Sequence, residues 1–130
     1  MITNEVQYRA TKAHLAKFEE AAANLEAKDE RSKLAQLELD AVRAQADDLR
    51  SEIAEYELLR SGTVSSFDAS SLSELATLLI KGRIARGWTQ RQLADTLGIA
   101  EQQVQRYEST GYRAASLARI CDVASALGVT

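Results

Sequence analysis

The stretch from Trp88 to Glu108, WTQRQLADTLGIAEQQVQRYE, leaves its chain few ways to fold. Thr89 is placed to cap a helix, Gln92 stands three residues on to complete a capping box, and Trp88 and Leu93 hold the two staple positions. Leu93, Ala94 and Leu97 fall on one face, and Gly98 follows where a left-handed residue ends a helix. Ile99 and Ala100 cross a turn. A second helix then runs from Glu101 to Glu108, with Val104 and Tyr107 as its apolar marks. Gln102, Gln103, Gln105 and Arg106 are left without a core-facing task. A short helix that buries two residues and shows water a row of amides and a guanidinium is suited to reading base edges.

These residues resemble the helix-turn-helix of the lambda-repressor-like, or Xre/Cro-type, DNA-binding domains. The resemblance rests on Gln90, Leu93-Ala94, Leu97-Gly98, Val104 and Arg106-Tyr107-Glu108. It extends upstream through Ile84-Ala85-Arg86-Gly87 and downstream from Leu117 to Ala126-Leu127-Gly128-Val129, about two-fifths of the chain. One position departs from the family pattern: Ala100 stands where Ser or Thr is usual, so the second helix lacks a side-chain cap, a loss of about 1 kcal/mol. The resemblance implies an ion pair between Arg83 and Glu108 that braces the fold. It also implies a loop after Glu108 lying beside the DNA backbone, which makes Arg113 a phosphate-contact candidate and leaves Tyr112 between packing and a phosphate hydrogen bond. Relatives commonly add a fifth helix that helps them dimerise, whereas this sequence stops at Thr130.

With 45% hydrophobic residues, no proline and six glycines, the chain reads as all-α. Its single cysteine, Cys121, permits no intrachain disulfide, and its helical apolar pattern with Leu117, Ala118 and Ala124 marks it as packing. No segment resembles a signal peptide or approaches the ~20 apolar residues of a membrane span, so a cytoplasmic protein with no membrane partner is expected. The net charge of −3 is unevenly divided. Residues 1–66 hold nine basic and thirteen acidic side chains, while Leu79 to Arg119 hold seven basic and three acidic. Phosphate attraction acts within a screening length of ~8 Å, so the acidic half does not cancel this local excess.

Asn4 and Gln7 form a capping pair at the head of the chain. Tyr8, Thr11, Leu15, Phe18, Ala22 and Leu25 then recur at spacings of three and four, a heptad stripe. It lapses over Lys28 to Lys33, and a second stripe follows as Leu39, Val42, Ala46, Leu49, Ile53 and Tyr56, widened by Leu34, Leu37 and Leu58. If the polar run is a turn, two helices form an antiparallel hairpin; if it stays helical, one long rod results. The shared seven-residue phase of Leu25, Ser32, Leu39, Ala46 and Ile53 supports the rod, while Asp29 and Gln36 at the other heptad position oppose it. The hairpin is favoured. Either stripe is too narrow to enclose a core alone, so self-association through Leu15, Phe18, Leu25, Leu39, Val42, Leu49, Ile53 and Tyr56 is expected.

The remaining charged groups read as solvated faces. Asp47 and Asp48 are adjacent and point apart on a helix. His14 has no second histidine to join it, so no metal site and no cofactor are expected. Ser61 to Ser71 reads as a linker in which Val64 and Phe67 can dock, giving a helical oligomerisation region at 1–60, a linker at 61–71 and a helix-turn-helix domain at 72–130. That domain opens with a capping box, Ser71 to Glu74, and a helix through Leu75, Leu78, Leu79 and Ile84. It closes with a helix capped by Ser116 whose core set is Leu117, Ile120, Cys121, Ala124 and Leu127.

The expected function is sequence-specific binding of double-stranded DNA by a homodimer or higher oligomer joined through residues 4–60, with recognition helix 101–109 in the major groove, acting as a repressor. Gln90 and Arg91 are phosphate-contact candidates at a helix N-terminus. Gln102 is the first candidate for a base contact, then Gln103 and Arg106, then Gln105; Glu101 either accepts from cytosine or stabilises the helix start. Two rivals remain: an antitoxin whose N-terminal helices cover a toxin protein, and a helical interaction adaptor that does not bind DNA. No nucleophile, base and orienting group occur at usable spacing, so no enzyme is expected.

Overall fold

The computed structural model describes residues 1–28 and 32–129. Among these it contains six helices: α1 (Glu5–Glu26), α2 (Lys33–Arg60), α3 (Leu72–Ala85), α4 (Gln90–Leu97), α5 (Glu101–Ser109) and α6 (Leu117–Leu127). The chain divides into two compact units, Met1–Tyr56 and Glu57–Thr130. No helix among the described residues is long and apolar enough to cross a membrane.

In the first unit, Asn4 caps α1 by accepting the Gln7 backbone N–H at 2.8 Å. The Gln7 side-chain oxygen in turn accepts from the Thr3 N–H, also at 2.8 Å. Ser32 Oγ caps α2 by accepting the Ala35 N–H at 3.1 Å. The choice between hairpin and rod is decided by what meets. Arg43 pairs with Glu26 at 2.6 Å and Arg50 with Glu19 at 3.0 Å, while the Tyr8 and Tyr56 rings lie 5.1 Å apart. In a continuous helix rising 1.5 Å per residue, Glu26 and Arg43 would be about 25 Å apart. As α2 advances its partners retreat along α1, so the two helices run antiparallel. Asp29, and with it the middle of the polar run, lies outside the described residues.

The hairpin changes what the apolar stripes are used for. Leu25, Leu39, Ala46, Ile53 and Tyr56 are buried, with Leu39 wholly so, and Leu15, Phe18, Val42 and Leu49 are half-buried. Folding back gives each stripe its partner within one chain. Leu34, Leu37 and Leu58, expected to widen the second stripe, are instead 75%, 58% and 56% exposed.

In the second unit, α4 packs against α5 and α6, and α6 also against α3. Leu79, Leu93, Val104 and Val123 are fully buried at its centre. Val64 and Phe67 are half-buried and line a groove with Leu78, Gly82, Ala85 and Leu127, so the segment between α2 and α3 lies along this unit's surface. Ser71 caps α3 as expected, but Glu74 reaches past it to the Ser70 N–H and hydroxyl. Those bonds lower the Glu74 carboxyl below its usual range, the Ser70 backbone bond contributing most.

On α6 the expected core face is corrected. Leu127 is buried as expected, but Leu117 and Cys121 are exposed and Val123 is buried in their place. An 11-residue helix with apolar or small residues at 117, 118, 120, 121, 123, 124 and 127 supports two overlapping stripes. Contact with α3 and α4 selects the 120–123–127 stripe.

Candidate nucleic-acid interface

The geometry of the helix-turn-helix begins with its stops. Thr89 Oγ1 accepts the Gln92 N–H at 3.1 Å and Gln92 Oε1 accepts the Thr89 N–H at 2.8 Å, a closed capping box at the head of α4. Gly98 ends α4 in the left-handed region at φ 71°, and the Ile99 N–H reaches back to the Ala94 carbonyl at 3.0 Å. That six-residue closure directs the chain straight into α5. Ala100 then begins α5 with no side-chain cap.

Behind these helices lies a buried polar cluster. The Arg83 guanidinium donates from Nε to Glu108 Oε2 at 2.7 Å and from Nη2 to Oε1 at 2.8 Å, with side chains 3% and 1% exposed. Its Nη1 donates to the Trp88 carbonyl at 2.8 Å. Gln90 Nε2 donates to Glu108 Oε1 at 2.9 Å, and Gln90 is itself buried. One carboxylate at the end of α5 is thereby tied to α3, to the α3–α4 turn and to the first residue of α4. A planar fork meeting a carboxylate on two bonds fixes orientation as well as distance, so the cluster sets the angle at which α5 is presented.

Around this brace the sequence candidates separate. Glu101, Gln102, Gln105 and Arg106 are exposed along α5, whereas Gln103 is half-buried. Positions 101, 102, 105 and 106 share one face at helical spacing, with Ser109 continuing it. Gln105, ranked last from sequence, thus stands beside Gln102. Arg91 at the head of α4 and Arg113 beyond α5 are exposed. Gln90, grouped with Arg91 from sequence, turns its amide inward to Glu108.

Tyr112 is also resolved. It is 3% exposed and stacks on Tyr107 with ring centroids 5.7 Å apart. Its backbone holds φ 59°, directly after Gly111 at φ 63°. Among the described residues its buried hydroxyl meets no hydrogen-bond partner. Burial, and after it the Glu108 carboxylate, hold that phenol above its ordinary pKa. The side chain packs and does not face outward. Ser109, Thr110, Gly111, Arg113 and Ala114 line an open recess beside it at the end of α5. Among the described residues no group of three or more His, Cys, Asp or Glu side chains is placed to hold a metal.

Residues 79–130 match the model of a helix-turn-helix family, of the Xre and lambda-repressor-like kind, a family of DNA-binding regulators. The match spans α4 and α5 and runs to the end of α6, and residues 1–78 lie outside it. Comparison with curated proteins and with solved structures returned no match.

Proposed function

We propose that this chain, carrying a helix-turn-helix of that family in residues 79–130, is a sequence-specific binder of double-stranded DNA that regulates transcription as a dimer. The observation that carries the reading is the outward face of α5. Gln102, Gln105 and Arg106 stand exposed together on a helix whose other face is anchored by Val104, Tyr107 and the Arg83–Glu108–Gln90 cluster. Such a helix offers amide and guanidinium groups to base edges in the major groove without ordering its backbone at the moment of contact. Arg91 and Arg113 flank it as phosphate contacts, the latter from the recess at the end of α5. The brace leaves Gln90 to position α4 and Tyr112 to support the loop.

Two copies place two recognition helices about one DNA turn, ~34 Å, apart. The region before residue 61 supplies the joining surface. Repression follows if the bound dimer overlaps a promoter.

Selecting binding sites from a random DNA pool tests the reading, and a two-fold consensus is the expected result. Gln102→Ala then lowers discrimination between selected and random DNA by about 1–3 kcal/mol. Arg91→Ala weakens binding to both alike and reduces the salt slope by about one unit. Recovery of no enriched sequence, or equal losses for Gln102→Ala on both DNAs, defeats base reading.

A further inference from the structure

The residues that the sequence offered for self-association are engaged in the hairpin's own seam, yet α2 carries a second apolar face that the hairpin leaves open. Leu34, Leu37, Ala41 and Ala44 recur at spacings of three, four and three, all exposed. The two leucines are 75% and 58% accessible. The next positions in the same register, Asp48 and Ser51, are polar and end the face. We infer that this face, Leu34-Leu37-Ala41-Ala44 of α2, is where a second copy of this chain docks, antiparallel, α2 against α2.

The order of side-chain sizes selects both the occupant and its direction. In an antiparallel pair related by a two-fold axis, Leu34 lies opposite the second copy's Ala44, and Leu37 opposite its Ala41. Each of the four layers then holds one leucine and one alanine, so the surface is complementary to itself, as an isologous interface requires. A parallel pair would stack leucine on leucine at one end and alanine on alanine at the other, leaving layers of unequal width. It would also carry Asp48 against Asp48 in the following layer.

Charge along the rim agrees at the ends of the contact. Lys33 of each copy lies alongside Asp47 of the other, and the antiparallel helix dipoles attract. Near the axis Glu38 and Asp40 meet their own mates. These rim groups are exposed, where each pair contributes little, and the apolar layers decide the geometry. A contact from Lys33 to Asp48 covers only about 24 Å of helix, a short seam beside the interfaces that hold stable complexes together. The dimer is therefore weak in solution and is reinforced when two half-sites are occupied. This inference rests on the dimeric reading above and names its surface.

Sedimentation of the full-length protein over a concentration series, with and without Leu34→Glu/Leu37→Glu, tests it. Wild type is expected to move from monomer toward dimer as concentration rises. The double variant stays monomeric, with dimer affinity reduced more than tenfold and far-ultraviolet circular dichroism unchanged, because both leucines are exposed. Direction is read from single variants Leu37→Cys and Ala41→Cys made in a Cys121→Ser background. Under mild oxidation, their mixture forms disulfide-linked dimer faster than either variant alone. A wild type that stays monomeric throughout, a dimer that survives the double substitution, or faster self-linking by each single variant overturns the proposal. A dimer that forms as described while no DNA sequence is ever enriched defeats the DNA-binding reading and leaves this surface standing.

Discussion

The hairpin joins helices of 22 and 28 residues along one apolar seam, whereas residues 57–130 hold four helices of 8 to 14 residues around a core with several wholly buried side chains. In the hairpin, long-range polar contacts such as Arg43–Glu26 and Arg50–Glu19 are half-exposed. In the second unit the corresponding contact, Arg83–Glu108, is buried and shared by three elements. Both units cap their helices, but length carries one of them and a buried brace the other. A helix of eight residues is too short to persist by itself, so α4 requires its capping box, its left-handed stop and its brace. The hairpin tolerates a looser seam because many weak contacts repeat along it.

This contrast breaks most easily at the buried pair. Glu108→Ala strips the buried Arg83 guanidinium of this carboxylate, and about 3–5 kcal/mol of the second unit's stability is expected to be lost, read by denaturant unfolding. A loss below ~1 kcal/mol would show that the brace is no stronger than a surface pair. Next in size, Leu93→Ala is expected to cost about 2–5 kcal/mol, and Leu15→Ala in the half-open seam distinctly less. Equal costs would mean that the seam is as tightly enclosed as the core. Ala100→Ser supplies the missing cap of α5 and is expected to raise stability by about 1 kcal/mol, with no counterpart gain in the hairpin. Smallest of all, Arg43→Ala is expected to change stability by only ~0.2–1 kcal/mol, with added salt shrinking the difference.

Local grammar made much of the second unit legible in the sequence. Thr89, Gln92 and Gly98 act within a few residues of one another, and their geometry follows from chemistry that any helix end obeys. The meeting of Arg83 and Glu108, 25 residues apart, came from resemblance, because no local rule pairs them. Failures occurred where a distant surface chose between faces of similar polarity. On α6, Leu117 and Cys121 join Leu127 by spacing as well as Val123 does, and only the positions of α3 and α4 turn Val123 inward instead. Gln90 stands with Arg91 at a helix N-terminus, where a phosphate contact is expected, yet the Glu108 carboxylate draws its amide inside. On α2, Leu34 and Leu37 looked like a broadening of one stripe because the direction from which α1 approaches is not written in α2 itself. Ile2, buried ahead of the first helix, carried no periodic signal at all.

The Arg86 guanidinium lies 4.9 Å from the Trp88 ring centroid and donates to the Leu127 carbonyl at 2.7 Å, clasping the end of α6 to the turn that precedes α4. Trp88 is the sole tryptophan, while the hairpin's aromatic side chains are Phe18, Tyr8 and Tyr56. Emission excited at the red edge of the indole band therefore originates wholly in the second unit, where the clasp holds a cation against the emitting ring. Melting followed by that emission reports one unit, and melting followed by total helicity reports both. The molecule thus carries its own optical label for telling whether its two halves come apart together or in turn.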